Sequence, residues 1–290
     1  MTQAELEAAH AWEADDAVPG RPEMTELRRR LRLHQSRWRE AHGHPPGTQP
    51  IVPQPGKPWR LVGSRLPLDY AQETGASFVT DAARAAARER LAVVEPNQSI
   101  DRRRIWADLL WSPALALNVF SDRAVQRALA PDVTEVRFEH SPGRLDPAYL
   151  GSLRSFDALL VLDDGGVLAV DVKYHERAKA ETPKPENMWR YREVAERSGV
   201  FAPGAVDELA GRSELAVHWL EHLLLLSMLQ HESGTWRRGT YVVVHPAGNS
   251  DTARLCARYA ELLDDRSTFS VVTLEELPLP GPVRERYLPA

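Results

Sequence analysis

Two carboxylates and one ammonium group are placed on two neighbouring runs of apolar residues. Asp157 lies in the run at residues 156–162, and Asp171 and Lys173 lie in the run at 167–174. Both runs are rich in β-branched and other apolar residues, which is typical of strands. Two carboxylates held close together repel each other, and a hard divalent cation such as Mg²⁺ relieves this by taking oxygen ligands from both. With a lysine beside them, these groups are suited to metal-assisted hydrolysis of a phosphodiester.

The sequence DDGG at 163–166 predicts that a tight turn joins the two runs into a β-hairpin. Side chains alternate between the faces of a strand, so Asp171 and Lys173 share one face. A two-residue loop would pair Asp157 with Val172 and place it on the wrong face. A three-residue loop at 164–166 with a left-handed glycine would pair Asp157 with Lys173 and put Asp171 on the diagonal. We therefore predict an odd-numbered loop or a bulge.

Taken alone, this pattern also fits an ordinary surface hairpin, whose Asp and Lys form a solvated pair contributing roughly a few tenths of a kcal/mol. Other segments between about residues 60 and 275 bear on this choice through a family resemblance. They are GSRL at 63–66, SPALALNVF at 112–120, FEHSPGR at 138–144, DVKYHE at 171–176 and HPAGN at 245–249.

With these segments, the chain resembles the PD-(D/E)XK nuclease superfamily, which has the restriction-endonuclease-like fold, and within it a bacterial group classed with restriction endonucleases. There the first Asp opens one strand and the (D/E)xK triplet ends the next, which matches Asp157, Asp171 and Lys173. Phe156 stands where the name of the motif has proline, and that proline is often absent. The resemblance implies a Mg²⁺ ion, for which Mn²⁺ would substitute, bound by Asp157, Asp171 and Val172, with Lys173 positioning water and phosphate.

Two glutamates are further candidates for a catalytic role. Glu139 shares one face of a predicted strand at 133–140 with other polar residues, and it could be a third ligand or hold a water. The alternative is an exposed glutamate on an edge strand. Glu176 follows the second run closely and could support Lys173 electrostatically.

The order of predicted elements indicates the fold independently of the site. They are a helix from Pro113 to about 120, a second helix capped by Ser121 and ending at 129, a strand at 133–140, the hairpin, a polar loop at 178–212, a helix at about 214–230, a strand at 241–244, a helix at 252–263 and a strand at 269–274. This αβββαβ order predicts an α/β fold with a restriction-endonuclease-like core, in which helices flank a mixed central β-sheet.

Two further segments have more than one interpretation. His218 and His222 are four residues apart, a spacing that can bind zinc, but no other ligand pattern accompanies them and we favour packing. The loop at 245–249 could cradle a phosphate with its backbone amides, or it could be a simple turn.

Positive charge is concentrated in the N-terminal part of a chain whose net charge is −5. Residues 21–104 carry a local charge of +7, which leaves −12 for the remainder. One arginine-rich segment lies on a predicted helix and includes Arg28, Arg29 and Arg32; a second comprises Arg102, Arg103 and Arg104. These six arginines predict a DNA-binding arm, and a solvated helix face is the alternative.

A proline-rich segment lies between the two arginine clusters, because residues 42–67 contain seven of the 22 prolines. It should be extended and irregular. We therefore divide the chain into a basic, mainly helical and irregular N-terminal extension at 1–100 and a catalytic domain at 101–290.

Composition indicates a cytoplasmic protein. The chain is 27% charged and 43% hydrophobic, as expected of a globular protein, and its single cysteine excludes an internal disulfide. The acidic N-terminus does not have the pattern of a signal peptide, and no apolar run is long enough to span a membrane.

The expected activity is that of a Mg²⁺-dependent endodeoxyribonuclease, acting in restriction or another defence against foreign DNA. One alternative is a non-cleaving module of the same fold that binds nucleic acid or protein. Another is a nuclease for RNA or for branched or single-stranded DNA. Cutting of both strands would favour a homodimer, and a requirement for a partner protein of a defence system is left open.

Overall fold

A computed structural model of the chain describes residues 1–93, 95–98 and 100–289. Within these residues the strands are Gly47–Gln49 (β1), Arg60–Val62 (β2), Val133–His140 (β3), Phe156–Leu162 (β4), Gly166–Val172 (β5), Arg238–His245 (β6) and Phe269–Thr273 (β7). The helices are Gln3–Ala8 (α1), Pro22–Ala41 (α2), Leu68–Thr74 (α3), Asp81–Ala92 (α4), Arg104–Ala107 (α5), Ser112–Phe120 (α6), Arg123–Leu129 (α7), Met188–Ser198 (α8), Ala205–Leu209 (α9), Ala216–Leu229 (α10), Ser250–Glu261 (α11) and Gly281–Tyr287 (α12).

The main sheet, as far as the described residues show, has five strands in the order β3-β4-β5-β6-β7. β3, β4 and β5 form an antiparallel meander, whereas β6 runs parallel to β5 and β7 runs parallel to β6. The parallel step from β5 to β6 requires a crossover, which contains α8, α9 and α10. The sequence α6-β3-β4-β5-α10-β6 is the predicted αβββαβ order. The prediction of a restriction-endonuclease-like α/β fold is thus confirmed.

Each face of the sheet is covered by helices, because alternate residues of its strands are apolar on both sides. Leu159, Val167 and Ala169 pack with α8, α10 and α11 in one buried cluster. Ala158 and Val170 face the other way and pack with α2, α6 and α12 in a second cluster. Asp157, Asp171 and Lys173 have the same parity as the first cluster and therefore lie on the α10 side.

The hairpin loop has three residues, as predicted, but it begins one residue earlier than expected. It comprises 163–165, and Gly165 has φ +80°, so the first of the two glycines adopts the left-handed conformation. The ladder pairs Ala158 with Val170. The next pair in the same register is Asp157 and Asp171. The predicted pairing of Asp157 with Lys173 is therefore wrong, and Lys173 is on the diagonal.

The predicted bounds of β3 and β4 are correct to the residue, whereas other elements differ from expectation. β5 ends at Val172, two residues early, and α10 is shorter than predicted. α7 is capped by Asp122, whose carboxylate accepts from two backbone amides, and not by Ser121. The predicted loop at 178–212 contains α8 and α9. The apolar stripe of α8 is short and most of its other residues are charged, so the sequence pattern predicted a polar loop.

The N-terminal extension packs against the sheet. Met24, Leu27 and Leu31 of α2 belong to the second cluster, together with the strands. The proline-rich segment contains β1 and β2, which pair with each other in an antiparallel two-stranded sheet. The division at residue 100 stays a prediction about independent folding. Among the described residues, no helix combines the length and apolarity needed to cross a bilayer.

Candidate active site

Asp157 and Asp171 face each other where β4 begins and β5 ends. Asp171 is 8% exposed, and Asp157 is partly buried. Asp157 accepts a hydrogen bond of 2.7 Å at Oδ2 from the backbone amide of Val172. Asp171 accepts one of 3.0 Å at Oδ2 from the hydroxyl of Tyr241 on β6. Hydrogen bonds from the sheet thus fix the position of both carboxylates.

Lys173 lies directly beside Asp171, with its Nζ 2.8 Å from each carboxylate oxygen. Its backbone is anchored on both sides, because its amide donates to the carbonyl of Val244 at 2.8 Å. Its carbonyl accepts from Nδ2 of Asn249 at 3.1 Å. Asn249 is fully buried. Its Oδ1 also accepts from the backbone amide of Thr252, and in this way Asn249 caps α11. The 245–249 loop therefore holds the end of β5.

The two aspartates have opposite pKa shifts. Burial raises the pKa of Asp157 well above its usual range, and the nearby charge of Asp171 raises it further. Burial also acts to raise the pKa of Asp171, but the ammonium of Lys173 outweighs it and the net shift is downward. Burial acts to lower the pKa of Lys173, but the charges of Asp171 and Asp157 outweigh it, and the net shift is upward. The pair therefore favours one proton on Asp157 and an ion pair between Asp171 and Lys173.

Glu221 on α10 is a third carboxylate near this pair, and the sequence reasoning missed it. Its Oε1 accepts from Nη1 of Arg154 at 2.7 Å, and its charge interacts with those of Asp171 and Lys173. Its Oε2 is buried and has no hydrogen-bond partner among the described residues. The available signal was a lone acidic residue inside a strongly apolar helix.

The donor set fits a hard divalent cation. Asp157 and Asp171 carry carboxylate oxygens, which Mg²⁺ prefers as ligands. Among the described residues, the carboxylate oxygens of Asp157, Asp171 and Glu221 do not all lie within 4.8 Å of one another. A cation would also relieve the repulsion that raises the pKa of Asp157. The sequence-derived ligand Val172 contributes an amide that orients Asp157.

A separate carboxylate cluster lies at the other end of the hairpin. Asp132, Asp163 and Asp164 have oxygens within 4.8 Å of one another, and two of the three are exposed. Arg238 donates to Asp164 at 2.7 Å. Five residues of β5 separate this turn from Asp171, which is roughly 17 Å at strand rise. This cluster is therefore not part of the candidate active site.

The two further glutamate candidates are held by other side chains. Glu139 is buried, has φ +46° and accepts hydrogen bonds of 2.7–2.8 Å from Arg90 and Arg144. Glu176 accepts from Oγ of Ser112 at 2.6 Å and from the amide of His175 at 3.0 Å. The charge of Glu176 acts on both Asp157 and Lys173, consistent with a supporting position.

His218 and His222 lie in an aromatic cluster under the sheet. The ring nitrogens of His222 are 2.9 Å from the hydroxyl of Tyr259 and 3.0 Å from that of Thr268. Nδ1 of His218 is 3.3 Å from the hydroxyl of Tyr241, which links it to Asp171. These contacts support the packing interpretation for the histidine pair.

The predicted DNA-binding arginines differ in their surroundings. Arg28 and Arg32 both donate to the buried carboxylate of Asp16, and Arg29 stacks over Trp12 at 4.6 Å. In the second segment Arg102, Arg103 and Arg104 are exposed. Arg102 donates to the carbonyl of Leu91, and Arg104 pairs with Asp108 at 2.8 Å. Arg28 and Arg32 thus stabilise the N-terminal extension, whereas Arg30 and Arg37 of the same helix are exposed.

One comparison with known proteins gives a match. A family model described as the PD-(D/E)XK nuclease superfamily matches residues 22–278. Neither the curated proteins nor the solved structures include a match to the chain.

Proposed function

This chain belongs to the PD-(D/E)XK nuclease superfamily, and on that premise we propose that it is a Mg²⁺-dependent endodeoxyribonuclease. The observation that supports this most directly is the pairing of Asp157 with Asp171, with Lys173 in contact with Asp171. This is the acid, acid and lysine arrangement that the superfamily's name describes, on adjacent strands of one sheet. Asp157 and Asp171 are the proposed metal ligands, with Val172 beside them and Glu221 added from the structure.

The bound ion would neutralise charge on a phosphoryl oxygen and lower the pKa of a coordinated water. The residues of the chain do the positioning. Tyr241 fixes the carboxylate of Asp171, and the amide of Val172 fixes that of Asp157. Lys173 is partly exposed at the strand end, where its ammonium can hold a water or contact the phosphate. Of the other glutamates, Glu176 fits a supporting role better than Glu139, whose oxygens already accept from two arginines.

DNA as substrate, a cytoplasmic location and a role in restriction or another defence belong to the same proposal. Mn²⁺ is expected to replace Mg²⁺, because both take oxygen ligands. One active site cuts one strand at a time, so cutting of both strands favours a homodimer. Arg28, Arg29, Arg32 and Arg102–Arg104 remain candidates for contacts with DNA, and a partner protein of a defence system remains a candidate for recognition.

The test is cleavage of supercoiled plasmid and of circular single-stranded DNA by the purified protein with Mg²⁺, Mn²⁺ or EDTA. Asp171→Ala and Lys173→Ala should each abolish metal-dependent cutting and retain the circular dichroism spectrum of the wild type. Asp163→Ala is the matched control, because it removes an acidic residue from the separate cluster at the hairpin turn. It should cut like the wild type.

Three results would contradict the proposal. Cutting by Lys173→Ala at the wild-type rate would remove the role assigned to the lysine. Cutting that survives both EDTA and Asp171→Ala would point to a contaminating nuclease. Absence of cutting on both DNAs, with no Mg²⁺ binding, would favour a non-catalytic module. Absence of cutting with retained Mg²⁺ binding would favour RNA as the substrate.

A further inference from the structure

A polar cavity of about 650 Å³ opens beside the end of β5, and we call it the cationic cleft. Seven of its lining side chains are cationic and four are carboxylates, so its wall has a net positive charge. The lining residues used below are Arg28, Arg65, Trp111, Glu176, Arg177 and Lys179. This excess is unexpected in a chain with a net charge of −5, and it marks the cleft as a site for an anion.

Several of these cations are not neutralised within the molecule. Across the described residues, Arg65, Arg177 and Lys179 have no carboxylate at ion-pair distance. Arg65 instead donates to the carbonyl of Thr48 at 3.0 Å, and burial lowers its pKa. Arg28 is paired with Asp16 at 3.3 Å. An anion in the cleft would supply acceptors for the exposed Arg177 and Lys179.

The cleft is adjacent along the chain to the candidate active site. His175, Glu176 and Arg177 follow Lys173 directly in the chain and lie in the wall of the cleft. Glu176 lines the cleft, and its charge also acts on Asp157 and Lys173. A second pocket of about 390 Å³ shares Arg177 and Lys179 with the cleft. The two cavities therefore adjoin each other at residues 177–179, a few residues beyond Lys173 in the chain.

The dimensions and the aromatic residue indicate which nucleic acid fits. Pockets of roughly 300–1,000 Å³ hold a small-molecule ligand, so the cleft, at about 650 Å³, has room for a nucleotide or two of one strand. Trp111 lines the cleft, with the guanidinium of Arg104 5.3 Å from its ring centre. Cations along the backbone together with an aromatic ring for base stacking are the typical means of binding single strands.

We propose that the cationic cleft binds a single strand of DNA beside the strand end that carries Asp171 and Lys173, so that the substrate is a single-stranded segment or a frayed end. The statement that the single strand is a substrate rests on the proposed nuclease function. Binding of the strand in the cleft does not require cleavage. Arg177 and Lys179 contact backbone phosphates, and Trp111 stacks on a base.

The experiment measures binding to a fluorescently labelled 15-nucleotide single strand and to a blunt duplex of the same sequence by anisotropy. The host protein carries Asp171→Ala and the buffer contains EDTA, so that the DNA stays intact. We expect the single strand to bind at least about tenfold more tightly than the duplex. Arg177→Ala/Lys179→Ala, two exposed positions, should weaken single-strand binding by about tenfold. It should also reduce the slope of log K against log salt by about 1.4, since each phosphate contact contributes about 0.7.

The matched control is Arg88→Ala/Arg127→Ala, which removes two exposed arginines that do not line the cleft. It should bind the single strand like the host. Equal affinity for the duplex, unchanged binding by the Arg177/Lys179 variant, or an equal loss in the control would each overturn the inference. None of these results bears on the nuclease itself, which the metal-dependent cleavage assay judges separately.

Discussion

The carboxyl group of Glu221 is buried, and its Oε2 accepts no hydrogen bond from the described residues. Burial raises the pKa of its carboxyl group, while Arg154 opposes that shift through its charge and a hydrogen bond. A buried carboxylate oxygen without a partner is costly, so its retention beside Asp171 and Lys173 needs a compensating interaction. A divalent ion bound by Asp157 and Asp171 would provide one. We therefore propose that the charge of Glu221 assists metal binding by the Asp157–Asp171 pair.

Replacement of Glu221 by Gln is therefore expected to separate metal binding from stability. Gln keeps an oxygen for Arg154 and the size of the side chain, but it lacks the charge that attracts a cation. We expect cleavage to fall by about tenfold or more and Mg²⁺ affinity in calorimetry to weaken, with the melting temperature changed by only a few degrees. Glu208→Gln, an exposed position on α9, is the control. Wild-type cleavage by Glu221→Gln would show that the third carboxylate is dispensable.

Residues of the site were predictable where local geometry places them together. Asp157, Asp171 and Lys173 lie on two strands joined by a three-residue loop, so alternation alone puts them on one face. Either Asp171 or Lys173 can face Asp157, depending on which of the two adjacent glycines takes the left-handed conformation. The sequence DDGG permits both. Glu221 is distant in the chain and on a helix whose rotation is set by packing, so its approach to the site could not be predicted.

At the scale of elements, the end of β5 depends on the loop that follows β6. Asn249 accepts from Thr252 to cap α11 and donates to the carbonyl of Lys173. Asp at this position would keep the cap but could not donate. Asn249→Asp should therefore keep the stability that the cap provides and lose cleavage, whereas Asn249→Ala should lose cleavage and also the stability of the cap. The cap alone is worth about 1 kcal/mol, and urea unfolding beside the cleavage assay measures the two effects. Equal cleavage by wild type and Asn249→Asp would contradict a positioning role.

The helix α10 should make the protein sensitive to acid. Burial lowers the pKa of His222 to about 3, against an ordinary value of 6.5. Above pH 6.5 the histidine is neutral in the folded and unfolded states, and its contribution to stability is complete. As the pH falls from 6.5 towards 3 the unfolded state alone takes up the proton. The free energy of unfolding should then fall by about 1.4 kcal/mol per pH unit for this group.

Urea unfolding at pH 7, 6 and 5 measures this dependence. His222→Gln should be less stable at pH 7, because it alters the contacts with Tyr259 and Thr268, but it should have a shallower pH slope. His10→Gln, an exposed position, should keep the wild-type slope. Parallel slopes for His222→Gln and the wild type would show that another group takes up the proton.

Element prediction succeeded where a segment is apolar enough to show its period. β3 and β4 were found with correct bounds, since their branched residues are bracketed by turn residues. α8 was missed, because only Tyr191, Val194 and Ala195 form its apolar stripe and arginines and glutamates surround them. Its burial comes from packing against α10, which sequence periodicity alone does not reveal.

At the scale of the whole molecule, the N-terminal extension supports the active edge of the sheet. Arg28 of α2 donates to the carbonyl of His175, two residues beyond Lys173. His175 also lies 3.2 Å from Asp16, the buried carboxylate to which Arg32 donates. The extension is thus connected to the segment that carries the lysine. The sequence indicated the basic character of α2 but not that Arg28 and Arg32 point inward, because this depends on how the helix docks.

Removal of the extension should consequently disrupt the catalytic part as well. Met24, Leu27 and Leu31 are each less than 5% exposed, and their loss would uncover the face of the sheet that they cover. Truncation of one such side chain typically costs about 2–5 kcal/mol, and a whole domain has only about 5–15 kcal/mol of stability. We expect residues 101–290 alone to lack a cooperative thermal transition and to be degraded rapidly by protease. Coexpression with residues 1–100 as a separate chain should restore the transition, because it supplies the same surface without the covalent connection. A cooperative transition of 101–290 alone, close to that of the full chain, would instead show that the catalytic part folds independently and that α2 is an accessory to it.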